Sequence, residues 1–322
     1  MTQADHHALP DDAEHTEAFN RRCVAVIEGW QTGQTPFAEA VAQLERLGQE
    51  ATGERHRGNQ ARVQHLLGYL QHYRGNLTIS IQHYERARAI YEQVGNKDRQ
   101  AYIDLNQGEN YRFKGEFNRA LHYTRSAGEM AEALGNIRVQ TIAMANEGLI
   151  MVTTGQHQQA VRAFEISLEL SNNWDENREQ LPGILCEVYH GLAVIHLERE
   201  DHHAAWEYAL MALESARMAG LPLQLGFANR VLGRVLSALD AAPDPSFSSD
   251  PDHYFHLALE SFREINAEAE IARTMFDHAL SQAQRGRRTT AARKLQQALI
   301  IFTRLGMVDD AARAADAQLA IT

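Results

Sequence analysis

Small and apolar residues return at fixed places within otherwise polar, helix-forming sequence, at an interval of forty residues. Gly68, Gly108 and Gly148 mark one phase of the repeat, and Gly75, Gly115 and Gly155 mark another. After the second set the chain reads GNLTISIQHYERARAIYEQVGN, GEFNRALHYTRSAGEMAEALGN and GQHQQAVRAFEISLELSNN. Small residues follow five positions on (Ser80, Ala120, Ala160) and twelve on (Ala87, Ala127, Ser167). A second helical stretch precedes each glycine, ending near Tyr73, Phe113 and Thr153, so the predicted unit is helix, tight turn, helix. Glycine costs about 1 kcal/mol relative to alanine inside a helix, so its recurrence predicts a close approach of two helices. Gly95-Asn96 and Gly135-Asn136 stand where a residue of positive φ closes a helix. Self-similarity at such a period is the signature of stacked supersecondary units.

The constellation resembles the tetratricopeptide repeat, whose first helix has a small residue at its eighth position. Its turn holds a glycine near the fifteenth, and its second helix has small residues near the twentieth and twenty-seventh. Gly68/Gly75/Ser80/Ala87, Gly108/Gly115/Ala120/Ala127 and Gly148/Gly155/Ala160/Ser167 match, so the strongest repeats occupy residues 57–175. Tetratricopeptide units usually run about 34 residues and HEAT or armadillo units about 40 to 47, so length alone favours the latter. The small-residue pattern instead resembles the long-helix arrays of bacterial STAND-type regulators, peptide-sensing regulators and kinesin light chains.

Weaker units extend the array. Ala193, Glu200, Ala205 and Ala212 trace one; Gly233, Phe255 and Ala258 trace another, broken by AAPDPSFSSDPD; and Ala279, Gly286, Ala291 and Ala298 trace the last. A poorly matching pair lies around Gly33, and residues from about Val308 to Ala320 form a terminal helix. The resemblance implies an all-α, right-handed superhelical solenoid of about seven helix pairs with a C-terminal capping helix. Residues 1–17 are expected to be a flexible acidic tail and 18–322 a single solenoid domain, with an insertion at 241–252.

A net charge of −11 over 322 residues argues against a sequence-independent nucleic-acid role, which needs a basic stripe. Arg285, Arg287, Arg288, Arg293 and Lys294 are the main basic cluster, read as a solvated turn and outer face. Cys23 and Cys186 have no redox or metal spacing, the start has no secretory pattern, and no apolar run approaches the ~20 residues that span a bilayer. A cytoplasmic protein without membrane contact is expected. Histidine is abundant at sixteen residues, yet His190, His196, His202 and His203 do not share a helix face. His253 and His256 with Asp250 and Asp252 have better spacing but lack the convergence zinc requires. Phosphate-loop, dinucleotide and nucleophile-elbow motifs are missing, so neither an enzyme nor a cofactor is expected.

In tetratricopeptide arrays the first helix of each pair lines a concave groove. Carried over position by position, the groove residues are Arg62, Leu66 and Tyr69; Tyr102, Asn106 and Glu109; Ile142, Asn146 and Leu149. Later units give Glu187, Gly191 and Val194; Phe227, Val231 and Arg234; Arg273, Asp277 and Leu280, with His65 and Arg230 beside them. Asn106 and Asn146 occupy one motif position, and each amide offers donor and acceptor to an extended peptide or equally to a neighbouring helix. Tyr69, Tyr102 and the arginines are either binding anchors or core. The candidate partner-binding set is Arg62, His65, Tyr69, Tyr102, Asn106, Glu109, Asn146, Glu187, Arg230 and Arg234. The lysine and arginine clamp of chaperone-tail receptors is lacking. The expected function is a protein- or peptide-binding adaptor or regulatory subunit. The alternatives are a signal-responsive regulator whose superhelix closes on a peptide or small ligand, and a self-assembling protein that dimerises through its terminal helices.

Overall fold

The computed structural model describes residues 10–53, 56–174, 181–239 and 241–321, with side chains from Thr16 onward. Among them are fifteen helices and no strand. The first two pairs are α1 (Pro10–Gln31) with α2 (Phe37–Glu50), and α3 (Arg57–Arg74) with α4 (Leu77–Gln93). Next come α5 (Lys97–Phe113) with α6 (Phe117–Leu134), and α7 (Ile137–Thr153) with α8 (His157–Ser171). The later pairs are α9 (Leu181–Glu198) with α10 (His202–Ala219), α11 (Pro222–Ser237) with α12 (Pro251–Glu264), and α13 (Glu268–Gln284) with α14 (Arg288–Leu305). The cap is α15 (Val308–Ile321). This is the tetratricopeptide-like solenoid of seven pairs and a cap. The first pair is the irregular one, since α2 leans more on α3 than on α1. Residues 1–9 of the expected tail lie outside the described residues, and α1 starts at Pro10.

Local chemistry sets the helix ends. The Asn96 and Asn136 side chains accept the backbone N–H of Arg99 and Val139, each at 3.0 Å, and Asp201 accepts that of Ala204 at 3.2 Å. In the strong repeats the turn glycines Gly75, Gly115 and Gly155 have φ of 89°, 76° and 72°. In a later unit Glu200 takes that left-handed place, at 61°, while Asn266, at 54°, stands after a second helix where Gly95 and Gly135 stand in earlier units.

The recurrent helix glycines each face the residue sixteen places on. A Cβ on Gly68 would lie 2.6 Å from the Tyr84 ring, and one on Gly148 would lie 2.5 Å from the Phe164 ring. On Gly108 it would overlap the Thr124 hydroxyl and approach the Ala120 carbonyl at 3.1 Å. Ala193 replaces the glycine where the facing residue is the small Ala209, and both are fully buried. Gly233 faces Phe255, because the insertion displaces the aromatic along the chain. The contact is therefore a matched pair of volumes between the two helices of a unit.

Successive units curl until the array meets itself. Trp30 of α1 donates from Nε1 to the Ile265 carbonyl after α12, at 2.9 Å, and shares a core with Leu70, Tyr73, Ala258 and Phe262. Phe113 at the end of α5 lies in one core with Phe276, Phe302 and Met307, and the Arg273 guanidinium sits 3.9 Å from the centre of its ring. Arg74 pairs with Glu268 at 2.7 Å, and α3 touches α13. Helices α3, α5, α7, α9, α11 and α13 thus surround a common interior.

Gly148→Ala is expected to lower stability by about 1–2 kcal/mol in a urea titration, overpacking against Phe164 outweighing the helix-propensity gain. Adding Phe164→Leu should return part of that loss; a neutral Gly148→Ala would refute the volume match. Trp30→Ala should cost about 3–5 kcal/mol. It should also speed hydrogen exchange in α12 and α13 as well as in α1–α3, whereas loss confined to α1–α3 would mean that the ends do not support one another.

Candidate functional site

The inner face divides into three sectors. In the first, Asn106 Nδ2 donates to His65 Nε2 at 2.8 Å, joining α5 to α3. Burial, then the charges of Arg62 and Arg99, hold His65 well below the usual histidine range, so its ring is neutral and accepts this bond. Of the two matched asparagines, Asn106 therefore bridges neighbouring helices. Asn146 is half-buried and makes no hydrogen bond among the described residues. The equivalence seen in sequence is broken because α3 places a histidine opposite Asn106.

The second sector is aromatic and belongs to the core. The Tyr69 hydroxyl accepts from Gln31 Nε2 at 2.9 Å, and its ring packs edge-on against Trp30 and Tyr73 at 6.0 and 4.9 Å. Burial pushes its phenol up to about 12. Its polar tip is occupied, so Tyr69 serves packing and the closure of the array. Next to it, Asn110 and Ser80 tie three helices: His72 Nδ1 donates to Asn110 Oδ1 at 2.8 Å, Asn110 Nδ2 donates to Ser80 Oγ at 2.9 Å, and Ser80 donates to the Gly68 carbonyl at 2.7 Å.

The third sector is a charge network buried by closure. Glu270 accepts from Arg230 at 2.5 Å and from Arg273 at 2.8 Å, and Arg273 reaches Asp310 of the cap at 2.9 Å. Burial opposes the charge of Glu270, but the two guanidiniums prevail and hold it down to about 2. Arg230 is thus a structural partner, only 7% exposed. Across the interior Glu109 lies 3.5 Å from His72 Nε2 and 3.7 Å from Arg112, and although burial opposes it, these two neighbours hold its carboxyl below the usual range. Glu187 has no such partner among the described residues. Burial first, then Glu109 and Glu270, push its carboxyl up to about 8 against the pull of Arg112. His190 is driven down to about 3 by burial and by Arg230 and Arg234. Arg234 is half-buried and unpaired among the described residues.

Of the sequence-derived candidates, Tyr69, Asn106, Glu109 and Arg230 are engaged in packing or pairing, while Arg62, Asn146, Glu187 and Arg234 keep free polar groups on the inner face. Tyr102 lies between the guanidiniums of Arg99 and Arg138, at 5.8 and 5.5 Å. Sequence reasoning missed Arg99, Arg138, Arg112 and Glu270. Arg99, Arg138 and Glu270 lie three or four residues before Tyr102, Ile142 and Arg273, one turn outside the motif but on the same helix face. The long period lengthens each helix, so extending the inner stripe by a turn at both ends would have found them.

Elsewhere, the basic cluster is partly spent on α12: Arg287 reaches Asp252 at 2.6 Å and Arg285 reaches Asp250 at 3.3 Å. Asp252 also accepts from His278 at 2.8 Å if that ring is protonated there, and no group of three potential metal ligands forms among the described residues. Both cysteines are free and buried; burial pushes Cys23 up to about 11 and Cys186 higher still. A cleft of about 750 Å³ opens away from the inner face, between α10, α11, α12 and the loop at Ser246–Ser248. No described helix is long and apolar enough to cross a membrane.

No protein-family model matches the chain, and no curated protein is similar to it in sequence. Solved structures are similar in fold. The Rap conjugation gene regulator of plasmid pLS20, in complex with the Phr* peptide, superposes with a TM-score of 0.67 at 15% identity, over 97% of this chain and 81% of that one. A Rap protein complexed with Competence and Sporulation Factor gives 0.57 at 13%, over 95% and 97%. NprR in complex with its cognate peptide NprX gives 0.51 at 10%, over 97% and 74%. At these identities the likeness is one of architecture: the chain has the tetratricopeptide-like helical-repeat fold of these regulators.

Proposed function

We propose that this solenoid takes a short, extended peptide in its interior and acts as a regulatory protein whose occupied and empty forms differ in how tightly the ends of the array pack. The observation that carries the reading is the enclosed inner face on which Asn146, Glu187 and Arg234 keep unused polar groups. Buried polar groups are ordinarily satisfied, and on the same face Arg62 Nε and His65 Nδ1 are buried without a partner, so this lining calls for a polar occupant. The Asn146 amide matches the donor and acceptor pattern of a peptide backbone. The six inner helices contact one another around the interior, with α13 touching α3, and a ring of that size favours a slim strand over a folded domain. Two similar structures are complexes with a peptide, which supports the same class of occupant here.

Closure favours a responsive regulator over a passive adaptor. Arg273 joins the inner Glu270 to Asp310 of the cap and lies on Phe113, where the two ends meet. An occupant that draws on Glu270 or Arg273 therefore loosens or tightens the same contact.

The test incubates the full chain with a randomised heptapeptide pool and identifies retained peptides by mass spectrometry. A consistent set should be retained, and Asn146→Ala, with unchanged circular dichroism, should weaken its binding about fivefold, the worth of one hydrogen bond near 1 kcal/mol. An empty pool, or equal retention by the variant, would overturn the groove reading. Glu187 also gives a pH signature. The folded chain keeps this proton to about pH 8, whereas an unfolded glutamate loses it near 4.3. Between those values the folded state binds more protons, so this group makes stability fall as pH rises. Urea titrations at three pH values across that window should show a shallower fall for Glu187→Gln; an identical slope would mean that the carboxylate is already charged in the folded chain.

A further inference from the structure

Three arginines on three consecutive inner helices stand without counter-ions among the described residues. Arg62 is the sixth residue of α3, Arg99 the third of α5 and Arg138 the second of α7, so all three sit toward one edge of the inner face. Arg99 and Arg138 flank the Tyr102 ring, Arg138 also lies 5.9 Å from the Trp174 ring, and Arg99 acts electrostatically on both Arg62 and His65. Among the described residues none of the three side chains makes an ion pair or a hydrogen bond. Arg112, Arg230 and Arg273 by contrast each face a carboxylate. Asp98, next to Arg99 in sequence, is held instead by the Asn136 amide at 2.6 Å.

Three donors in this cluster are buried and lack an acceptor: Arg62 Nε, Arg138 Nε and His65 Nδ1. His65 itself is 5% exposed, and because its Nε2 accepts from Asn106, its proton is on Nδ1. Like charges gathered over unsatisfied donors are unfavourable in the empty chain, and an oxyanion corrects both faults together. The α5 and α7 N-termini add their partial positive charge. Asn146 lies eight residues further along α7 than Arg138, about 12 Å at the helical rise, which three or four residues of extended peptide span.

We propose that Arg62, Arg99 and Arg138, with His65 and Tyr102, form an oxyanion-binding subsite that takes the terminal carboxylate of the peptide whose backbone passes Asn146. The carboxylate assignment rests on the peptide reading above; the oxyanion site itself rests on the arginines. Guanidinium forks match a carboxylate's two oxygens, and inorganic phosphate shares that chemistry, so phosphate serves as an independent probe.

The experiment uses the full chain and an Arg99→Gln/Arg138→Gln variant, with two heptapeptide pools identical but for a free or an amidated C-terminus. Wild type should retain the free-acid pool at least about tenfold better than the amidated pool, and the variant should retain both equally weakly. Inorganic phosphate should raise the melting midpoint of wild type and not of the variant. Without any anion the variant should melt higher than wild type, since like-charge repulsion has been removed; structural arginines would give the opposite. If phosphate protects wild type alone while neither pool is retained, the oxyanion site stands and the peptide assignment falls. Equal retention of acid and amide pools, with phosphate acting alike on both proteins, would overturn the subsite.

Discussion

Everything in this molecule depends on how closely the two helices of a unit approach. A ring or small side chain of the second helix sits directly over a residue of the first that has little or no side chain, as Tyr84 does over Gly68 and Phe164 over Gly148. Glycine is a poor helix former, and its cost is offset only because the facing side chain fills the space. Where the facing residue shrinks, as at Ala209, the first helix accepts alanine at position 193. This fixes the geometry of each unit, and small rotations from unit to unit then accumulate along the array.

Accumulated rotation brings Trp30 to Ile265 and Phe113 to Phe276, contacts between units far apart in the chain. Closure withdraws much of the inner face from bulk water, and that changes the chemistry of its side chains. Glu270 and Glu187 are both glutamates on first helices, yet one is held down to about 2 and the other is pushed up to about 8. The difference is the company each keeps: Glu270 lies between two guanidiniums, while Glu187 feels two carboxylates and one distant arginine. An inner face of this kind is neither a neutral core nor an open surface. Its satisfied groups hold the ring together, and its unsatisfied groups define what it can accept.

The fold was legible in the sequence because its determinants are local and periodic. A small residue at the contact, a positive-φ turn and a capping asparagine recur at constant spacing, so Gly68, Gly75 and Asn96 each report their own neighbourhood. Even the departures were readable, since Glu200 and Gly233 could be placed in their units before any coordinates. The motif also brought out the helix face that lines the interior, although it stopped a turn short of Arg99, Arg138 and Glu270.

What the sequence by itself determined, then, is the repeat: which residues form each helix pair, where each pair turns, and which face points inward. The tertiary structure alone decided which inward residues are spent and which are free. Asn106 and Asn146 are alike in every local respect, and only the presence of His65 across the helix boundary separates a bonded amide from an open one. Arg230 and Arg99 are likewise two inner-face arginines until the next unit packs on and brings Glu270 to the first, while among the described residues no carboxylate pairs with the second. The physical reason is range: helix pairing is set by side chains a few turns apart, whereas partnership on the inner face is set by side chains about forty residues away, brought together only when one unit packs on the next.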